Sequence, residues 1–318
     1  MQLRQLAVLA IALASTTPVH ALDILLTNDD GLTSNLKALY EALKADGHDV
    51  IVSVPCTGQS GRGGAIVMYS TTTIVPDNDK TQIEAEGGCH NGAAPTGAPA
   101  VGPFTKEGYS NGDYHYVHGT PVMATAYGLD VLAQQRWGKA PDLVLSGPNE
   151  GQNVGRIVNG SGTVSNAQFA ASRNLPAIAV SAGVDTTDNT TLANPFSAVV
   201  AQLTIKLLHT LEDKADDHGL LAAGIALNVN VPDAPTAELP FAFSRFGTFQ
   251  AYDIKFKAEP PYGLAIGQST AAPTDDQAHD EAVVYKTKVS VTAMQVGFEA
   301  RPLAQAWLHG RLRELFAQ

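Results

Sequence analysis

The feature that most limits what this chain can fold into is a short apolar strand, an acidic turn and an amphipathic helix in immediate succession. Asp23-Ile24-Leu25-Leu26-Thr27 reads as a buried strand, and Asn28-Asp29-Asp30-Gly31 as a turn. With Thr33 or Ser34 as N-cap, Leu36, Leu39, Tyr40 and Leu43 recur at i, i+3, i+4 and i+7, which is one face of a helix. Gly47 fits the C′ position. Residues 48–54 (HDVIVSV) return as a second strand. A strand, a helix and a strand within about thirty residues predict a parallel pair joined by a right-handed crossover.

The alternation continues down the chain. Thr120-Pro121 starts a helix as N-cap and N1, with Val122, Ala126 and Leu129 along one side. Residues 142–146 (DLVLS) read as a strand, 147–162 as a Gly/Asn-rich loop, and a helix follows from about Thr163. A strand at 177–181, a helix from about 195 to 211 and a strand at 225–231 (IALNVNV) complete the pattern. The fold class is therefore α/β, a mostly parallel sheet with helices on both faces. Residues 76–112 are rich in Gly, Ala, Pro and Asn and are expected to form a surface insertion, pinned at Cys89. Beyond 232 come a Pro-rich linker and a strand pair around 241–252 and 283–294. A final amphipathic helix carries Trp307, Leu308, Leu312, Leu315 and Phe316.

Residues 1–21 are expected to form a signal peptide. Arg4 gives a positive start, residues 6–14 (LAVLAIALA) are an apolar run too short to span a bilayer, and Val19-His20-Ala21 fits a small-x-small cleavage site. The plain alternative is an N-terminal core helix. Export implies an oxidising compartment, where Cys56 and Cys89 are expected to pair; two free buried thiols are the alternative. After cleavage no membrane segment is expected. The chain carries 20 Lys+Arg against 31 Asp+Glu, a formal net charge of −11. That balance argues against a polynucleotide partner. It leaves room for a small anionic substrate where a bound metal reverses the local field. Neither H-x-x-x-H nor C-x-x-C occurs, which disfavours zinc.

In an open α/β sheet, ligands bind beyond the carboxyl ends of the strands. Three loops leave such ends: Asn28–Gly31, Gly58–Gly64 (GQSGRGG), and the stretch from Ser146 to Thr163. A dinucleotide fold would place G-x-G-x-x-G after the first strand. Here two adjacent carboxylates, Asp29 and Asp30, stand there instead, and they would repel a pyrophosphate unless a cation lay between. They suit a hard divalent metal; the alternative is an Asx-turn with Asp30 capping the helix. In the third loop, Asn149 can offer a neutral oxygen to a metal and Asn153 can donate two hydrogen bonds to an oxyanion. Ser161-Gly162-Thr163 leads into a helix N-terminus, a natural phosphate site. The alternative for this loop is a run of turn formers without a ligand.

TNDDG at 27–31, QSG at 59–61, PDLVLSGPNEGQNVG at 141–155, SGTV at 161–164, LPAIAVS at 175–181 and LNVNVP at 227–232 occur in the order seen in the SurE family. VSVTAMQV at 289–296 resembles the family's late strand. The chain thus resembles a SurE-type 5′/3′-nucleotidase (acid phosphatase), and its signal peptide, insertion and SGPN variant resemble the exported acid-phosphatase branch.

The resemblance implies a Rossmann-like three-layer core over 22–232 and one divalent cation per subunit, Mg²⁺ or Mn²⁺. It implies Asp29, Asp30, the Ser60 hydroxyl and Asn149 as ligands, with Asn153, Ser161, Gly162 and Thr163 facing the phosphate. It also implies homodimers or homotetramers built by exchange of elements from 233–318. Three departures stand out. Cys56 occupies a position often acidic in relatives, Glu150 one often small, where a solvated side chain is expected, and the 76–112 insertion could roof the pocket.

The expected activity is hydrolysis of a small phosphorylated substrate, a nucleoside monophosphate. The metal would activate a water, Asp29 or Asp30 would orient it, and the location would be periplasmic or secreted. The competing readings are an exported protein that binds a phosphorylated ligand or metal without turnover, and a phosphatase of the same fold acting on polyphosphate or sugar phosphates.

Overall fold

The computed structural model describes residues 21–67, 73–74, 87–188, 190–217, 219–297 and 302–316. Residues 1–20 of the expected signal peptide lie outside the described residues, as do 75–86 at the start of the expected insertion. In chain order the elements are β1 (Asp23–Thr27), α1 (Ser34–Ala45), β2 (Asp49–Pro55), β3 (Val101–Pro103), β4 (Tyr114–Val117), α2 (Pro121–Tyr127), α3 (Ala133–Trp137), β5 (Leu143–Glu150), α4 (Gly162–Ala171), β6 (Ala177–Ala182), α5 (Pro195–Glu212) and β7 (Ile225–Asn230). They continue with β8 (Phe241–Ser244), β9 (Tyr252–Phe256), β10 (Leu264–Gln268), α6 (Glu281–Val284), β11 (Val289–Gln295), α7 (Pro302–Arg311) and α8 (Arg313–Phe316).

The main sheet runs β3-β4-β2-β1-β5-β6-β7-β11-β8. From β4 to β7 every pairing is parallel; β3 and β11 join antiparallel. Strand alternation sorts the core into two layers. Ile24, Leu26, Val50, Val52, Leu143 and Leu145 pack with Leu36, Leu39, Leu43, Val200 and Leu207 of α1 and α5. Leu25, Ile51 and Val144 pack on the other side with Leu129, Val164 and Ala167. The α/β class is observed, and both helix starts read from capping residues are present: Thr33 caps α1, and Thr120 with Pro121 begins α2. Among the described residues no helix is long and apolar enough to cross a membrane.

Several elements differ from expectation. The strand expected at 142–146 runs on through Gly147-Pro148 to Glu150, with a register shift between Ser146 and Asn149. The described part of the insertion is packed: it supplies edge strand β3 and buries Cys89, Ala93, Ala94 and Phe104. The late strand pair is β8 beside β11, in parallel, and residues 283–284 belong to helix α6. An antiparallel hairpin, β9 with β10, lies between them. β8 and β11 extend the main sheet, so 233–318 shares its backbone ladder with the core.

Cys56 and Cys89 form a disulfide across a sequence separation of 33. It fastens the insertion to the end of β2. His90 N donates to Cys56 O at 2.6 Å, and Asn91 Nδ2 donates to Leu32 O at 2.7 Å. The foot of the insertion thus rests on the acidic turn. Replacing both cysteines by serine is expected to cost roughly 3–4 kcal/mol by chain entropy, read from urea denaturation; equal stability would contradict it.

Candidate active site

The site forms where the carboxyl ends of β1 and β5 meet the first turn of α4. Asn28 closes the turn after β1: its Oδ1 accepts from Gly31 N at 3.0 Å and its Nδ2 donates to Gly31 O at 2.7 Å. Gly31 has φ of +81°, a left-handed conformation that a side chain would strain. Thr33 Oγ1 accepts from Leu36 N at 3.1 Å, so Thr33, and not Asp30, caps α1. Neither carboxylate of the pair is spent on the helix end.

Asp29 and Asp30 are 2% and 8% exposed. The Thr163 hydroxyl bonds to Asp29 Oδ1 and lies 3.0 Å from Asn149 Oδ1. The Asn149 amide is oriented by Nδ2 donating to Gly151 O at 2.7 Å, which turns its oxygen toward Thr163. A hydroxyl has one proton to give, so three oxygens converge around a single hydrogen. Asp30 is tied to the end of β5, its Oδ2 accepting from Glu150 N at 3.2 Å. Two carboxylates and two neutral oxygens are a donor set that fits a hard divalent cation. Among the described residues no cluster of three or more His, Cys, Asp or Glu suited to a metal occurs, so any such site must draw on amide and hydroxyl oxygens.

The electrostatics point the same way. Burial lifts the Asp29 carboxyl above its ordinary range, against hydrogen bonds from the Thr163 hydroxyl and the backbone amides of Asp29, Thr163 and Gly162. Burial also raises Asp30 well above that range, helped by the negative charges of Asp29 and Glu150. Desolvation and like charge both disfavour the second anion, and a cation between the two restores it.

The other expected residues surround this centre. Gln59 N donates to Asp29 O at 2.7 Å, and Gly63 N donates to Gly160 O at 3.0 Å. The 58–64 loop thereby bridges the acidic turn and the turn before α4, and Ser60, next in sequence to Gln59, is exposed. Ser161 is the N-cap of α4, its Oγ accepting from Val164 N at 3.1 Å. A Cβ on Gly162 would lie 2.6 Å from Asp29 Cβ and 2.6 Å from Pro121 Cγ, so only glycine lets the helix start against Asp29. Thr163, expected at the phosphate, turns its hydroxyl inward to Asp29 and Asn149. Asn153, expected to offer two hydrogen bonds, spends one amide hydrogen on Ser181 Oγ at 2.8 Å. Glu150, expected to be solvated, is half-buried and felt by Asp30.

Sequence reasoning missed Ser181, Asn228 and Asn230. Across the ladders Asn149 pairs with Ser181, and Ser181 with Asn230. The available signal was the fully buried Asn at alternate positions of IALNVN, polar where a core strand is ordinarily apolar. Glu281 was missed as well. It is 1% exposed, and its Oε1 accepts from Gly155 N at 2.7 Å, tying the loop between β5 and α4 to α6.

Two outcomes are expected. Gly162→Ala should destabilise the fold by ~1–3 kcal/mol through overpacking, measured by denaturant titration; an unchanged midpoint would contradict the close approach. An acid raised in the folded state subtracts stability above its unfolded pKa, and that loss is relieved as pH falls through the folded pKa. Asp30→Asn, which still accepts from Glu150 N, should therefore raise the melting temperature of the cation-free protein at neutral pH. The gain should vanish below about pH 4, where Asp30 is protonated in the folded and the unfolded protein alike. A variant less stable than the parent at neutral pH would contradict this.

Residues 24–252 match the model of the family described as "Survival protein SurE". An acid phosphatase of Yarrowia lipolytica is 34% identical over 216 residues, covering 66% of this chain and 56% of that protein. A 5′/3′-nucleotidase SurE of Proteus mirabilis is 29% identical over 299 residues, covering 91% of this chain and 96% of that protein. The crystal structure of the SurE protein from Aquifex aeolicus shares the fold, with a TM-score of 0.61 at 22% identity, over 91% of this chain and 99% of that one. With the family model spanning most of its length, the chain belongs to the SurE family.

Proposed function

We propose that this chain is a divalent-cation-dependent phosphomonoesterase acting on nucleoside monophosphates. The observation that carries the reading is the contact between an oxygen-only donor set and a helix N-terminus: Gly162 and Thr163 of α4 lie directly against Asp29. The relatives named acid phosphatase and 5′/3′-nucleotidase support the same chemistry. Asp29, Asp30, Asn149 and Ser60 would hold the cation, Mg²⁺ or Mn²⁺. When bound, it supplies positive charge that polarises the phosphoryl oxygens.

The chain's own residues do the rest. Asp29 is locked by the Thr163 hydroxyl and by backbone amides. Asp30 is held at Oδ2 by the Glu150 amide alone among its hydrogen-bond restraints. Asp30 Oδ1 is thus the atom placed to orient an attacking water and take its proton. The hydroxyl of Ser161 and the remaining amide hydrogen of Asn153 stabilise charge on the equatorial oxygens, within the positive field at the start of α4, whose Gly162 and Thr163 amides are taken by Asp29.

The protein is read as exported, periplasmic or secreted, in keeping with the Cys56–Cys89 bond. Phe256, Leu264, Ile266, Leu303 and Trp307 are exposed on β9, β10 and α7. We read that apolar surface as the part exchanged with a second copy in a dimer or tetramer.

The decisive test is phosphate release from AMP, sugar phosphates, short polyphosphate and p-nitrophenyl phosphate. Activity should vanish with EDTA, return with Mg²⁺ or Mn²⁺, and be highest on nucleoside monophosphates. Asp29→Ala should lose at least about 100-fold. Full activity in that variant, or indifference to chelation, would refute the reading.

A further inference from the structure

Asn153 is gripped on three sides by polar groups that the fold does not otherwise need. Its backbone N–H donates to Asn230 Oδ1 at 2.7 Å. Its backbone carbonyl accepts from Asn228 Nδ2 at 3.0 Å and from Asn230 Nδ2 at 3.1 Å. Its side-chain Nδ2 donates to Ser181 Oγ at 2.8 Å. One asparagine side chain thus matches both backbone groups of Asn153, as a neighbouring strand would. The residue before it is also held: Gln152 Nε2 donates to Val231 O and Asp233 Oδ1, each at 3.0 Å.

Ser181, Asn228 and Asn230 are fully buried. Buried amides cost stability unless fully paired, and Asn228 Oδ1 has no hydrogen-bond partner among the described residues. An apolar residue at 228 would suit a core strand better. The polar row runs across the sheet from Asn149 through Ser181 and Asn230 to Ser290, and its near end lies beside Asn149, whose ladder partner is Ser181.

We propose that Ser181, Asn228 and Asn230 are positioning residues for phosphate binding. They fix the Gln152–Val154 strap so that Asn153 presents its one remaining amide N–H to a phosphoryl oxygen beside Asn149 and Asp29. This rests on the phosphomonoesterase reading above. The clamp acts on the phosphate through Asn153 and does not touch the cation, so it governs substrate affinity and not metal affinity. A displacement of about 1 Å at such a contact is enough to cost on the order of 10²-fold.

The test compares Ser181→Ala, Asn230→Ser and Asn153→Ala, and the doubles with Asn153→Ala, in the full-length protein loaded with Mn²⁺. Ser181→Ala removes one hydroxyl and is the variant least prone to misfold. The expected result is a rise of roughly 10–100-fold in KM for p-nitrophenyl phosphate and in the inhibition constant of inorganic phosphate. Mn²⁺ affinity by calorimetry should stay within about twofold, and Ser181→Ala should add nothing on top of Asn153→Ala. A merely structural role would weaken Mn²⁺ binding and melting temperature together and would add to Asn153→Ala; that pattern, or an unchanged KM in Ser181→Ala, overturns the proposal. If the parent hydrolyses nothing, the phosphomonoesterase reading fails, and direct calorimetry of inorganic phosphate still decides the clamp. Loss of phosphate affinity in Ser181→Ala supports it, whereas equal affinity in the two proteins, or none in either, refutes it.

Discussion

Two adjacent carboxyl groups, Asp29 and Asp30, sit almost wholly inside the protein at the end of β1. Water no longer solvates them, and each charge opposes the other. Such a pair stays buried where protonation or a counter-charge offsets its cost. The neighbouring residues crowd closely around it. Asn149 and Thr163 add neutral oxygens, the backbone amides of Gly162 and Thr163 approach Asp29, and Gly162 has no side chain because there is no room for one.

The surrounding loops are built to hold this geometry. The 58–64 loop is bonded to Asp29 on one side and to Gly160 on the other. The insertion is stapled by Cys56–Cys89 and rests on Leu32 through Asn91. From the far end of the chain, Glu281 takes the amides of Gly155 and Gly247, at 2.7 and 3.1 Å. Its neighbour Asp280 is desolvated, yet amides of Phe249 and Thr248 and the Arg245 guanidinium hold its carboxyl below the usual range. The C-terminal part therefore holds the loop between β5 and α4 as well as extending the sheet.

Local signals were legible where the physics is local. The helix period of α1, its Thr33 cap and the Thr120-Pro121 start of α2 each depend on residues within one or two turns. The structure places Asp29, Asp30, Asn149, Ser161, Gly162 and Thr163 together at the ends of β1 and β5 and the start of α4, positions legible because strand ends and helix starts are marked in the sequence. What was missed depends on distant partners. Gly147-Pro148 looks like a turn, yet it is an irregularity inside β5, which pairs with β6 at Ser146 before it and at Asn149 after it. Val283-Val284 looks like strand, yet both amides donate to Asp280 O, at 2.9 and 3.0 Å, in the first turn of α6. The hairpin β9–β10 is spaced with charges at Asp253, Lys255 and Lys257 and carries little core signal. Asn228 and Asn230 were read only as strand residues, since the loop they grip lies about 75 positions away in sequence.

On the proposed function, the buried Asp29–Asp30 pair holds a cation, and that cation ionises it. Calorimetric titration of Mn²⁺ into chelator-treated protein at about pH 6, repeated in buffers of different ionisation enthalpy, counts the protons released on binding. The account predicts saturable binding of one Mn²⁺ per chain with net proton release, both abolished by a double Asp29→Asn, Asp30→Asn variant. Absence of binding, or binding with no proton release that persists in the double variant, would contradict it.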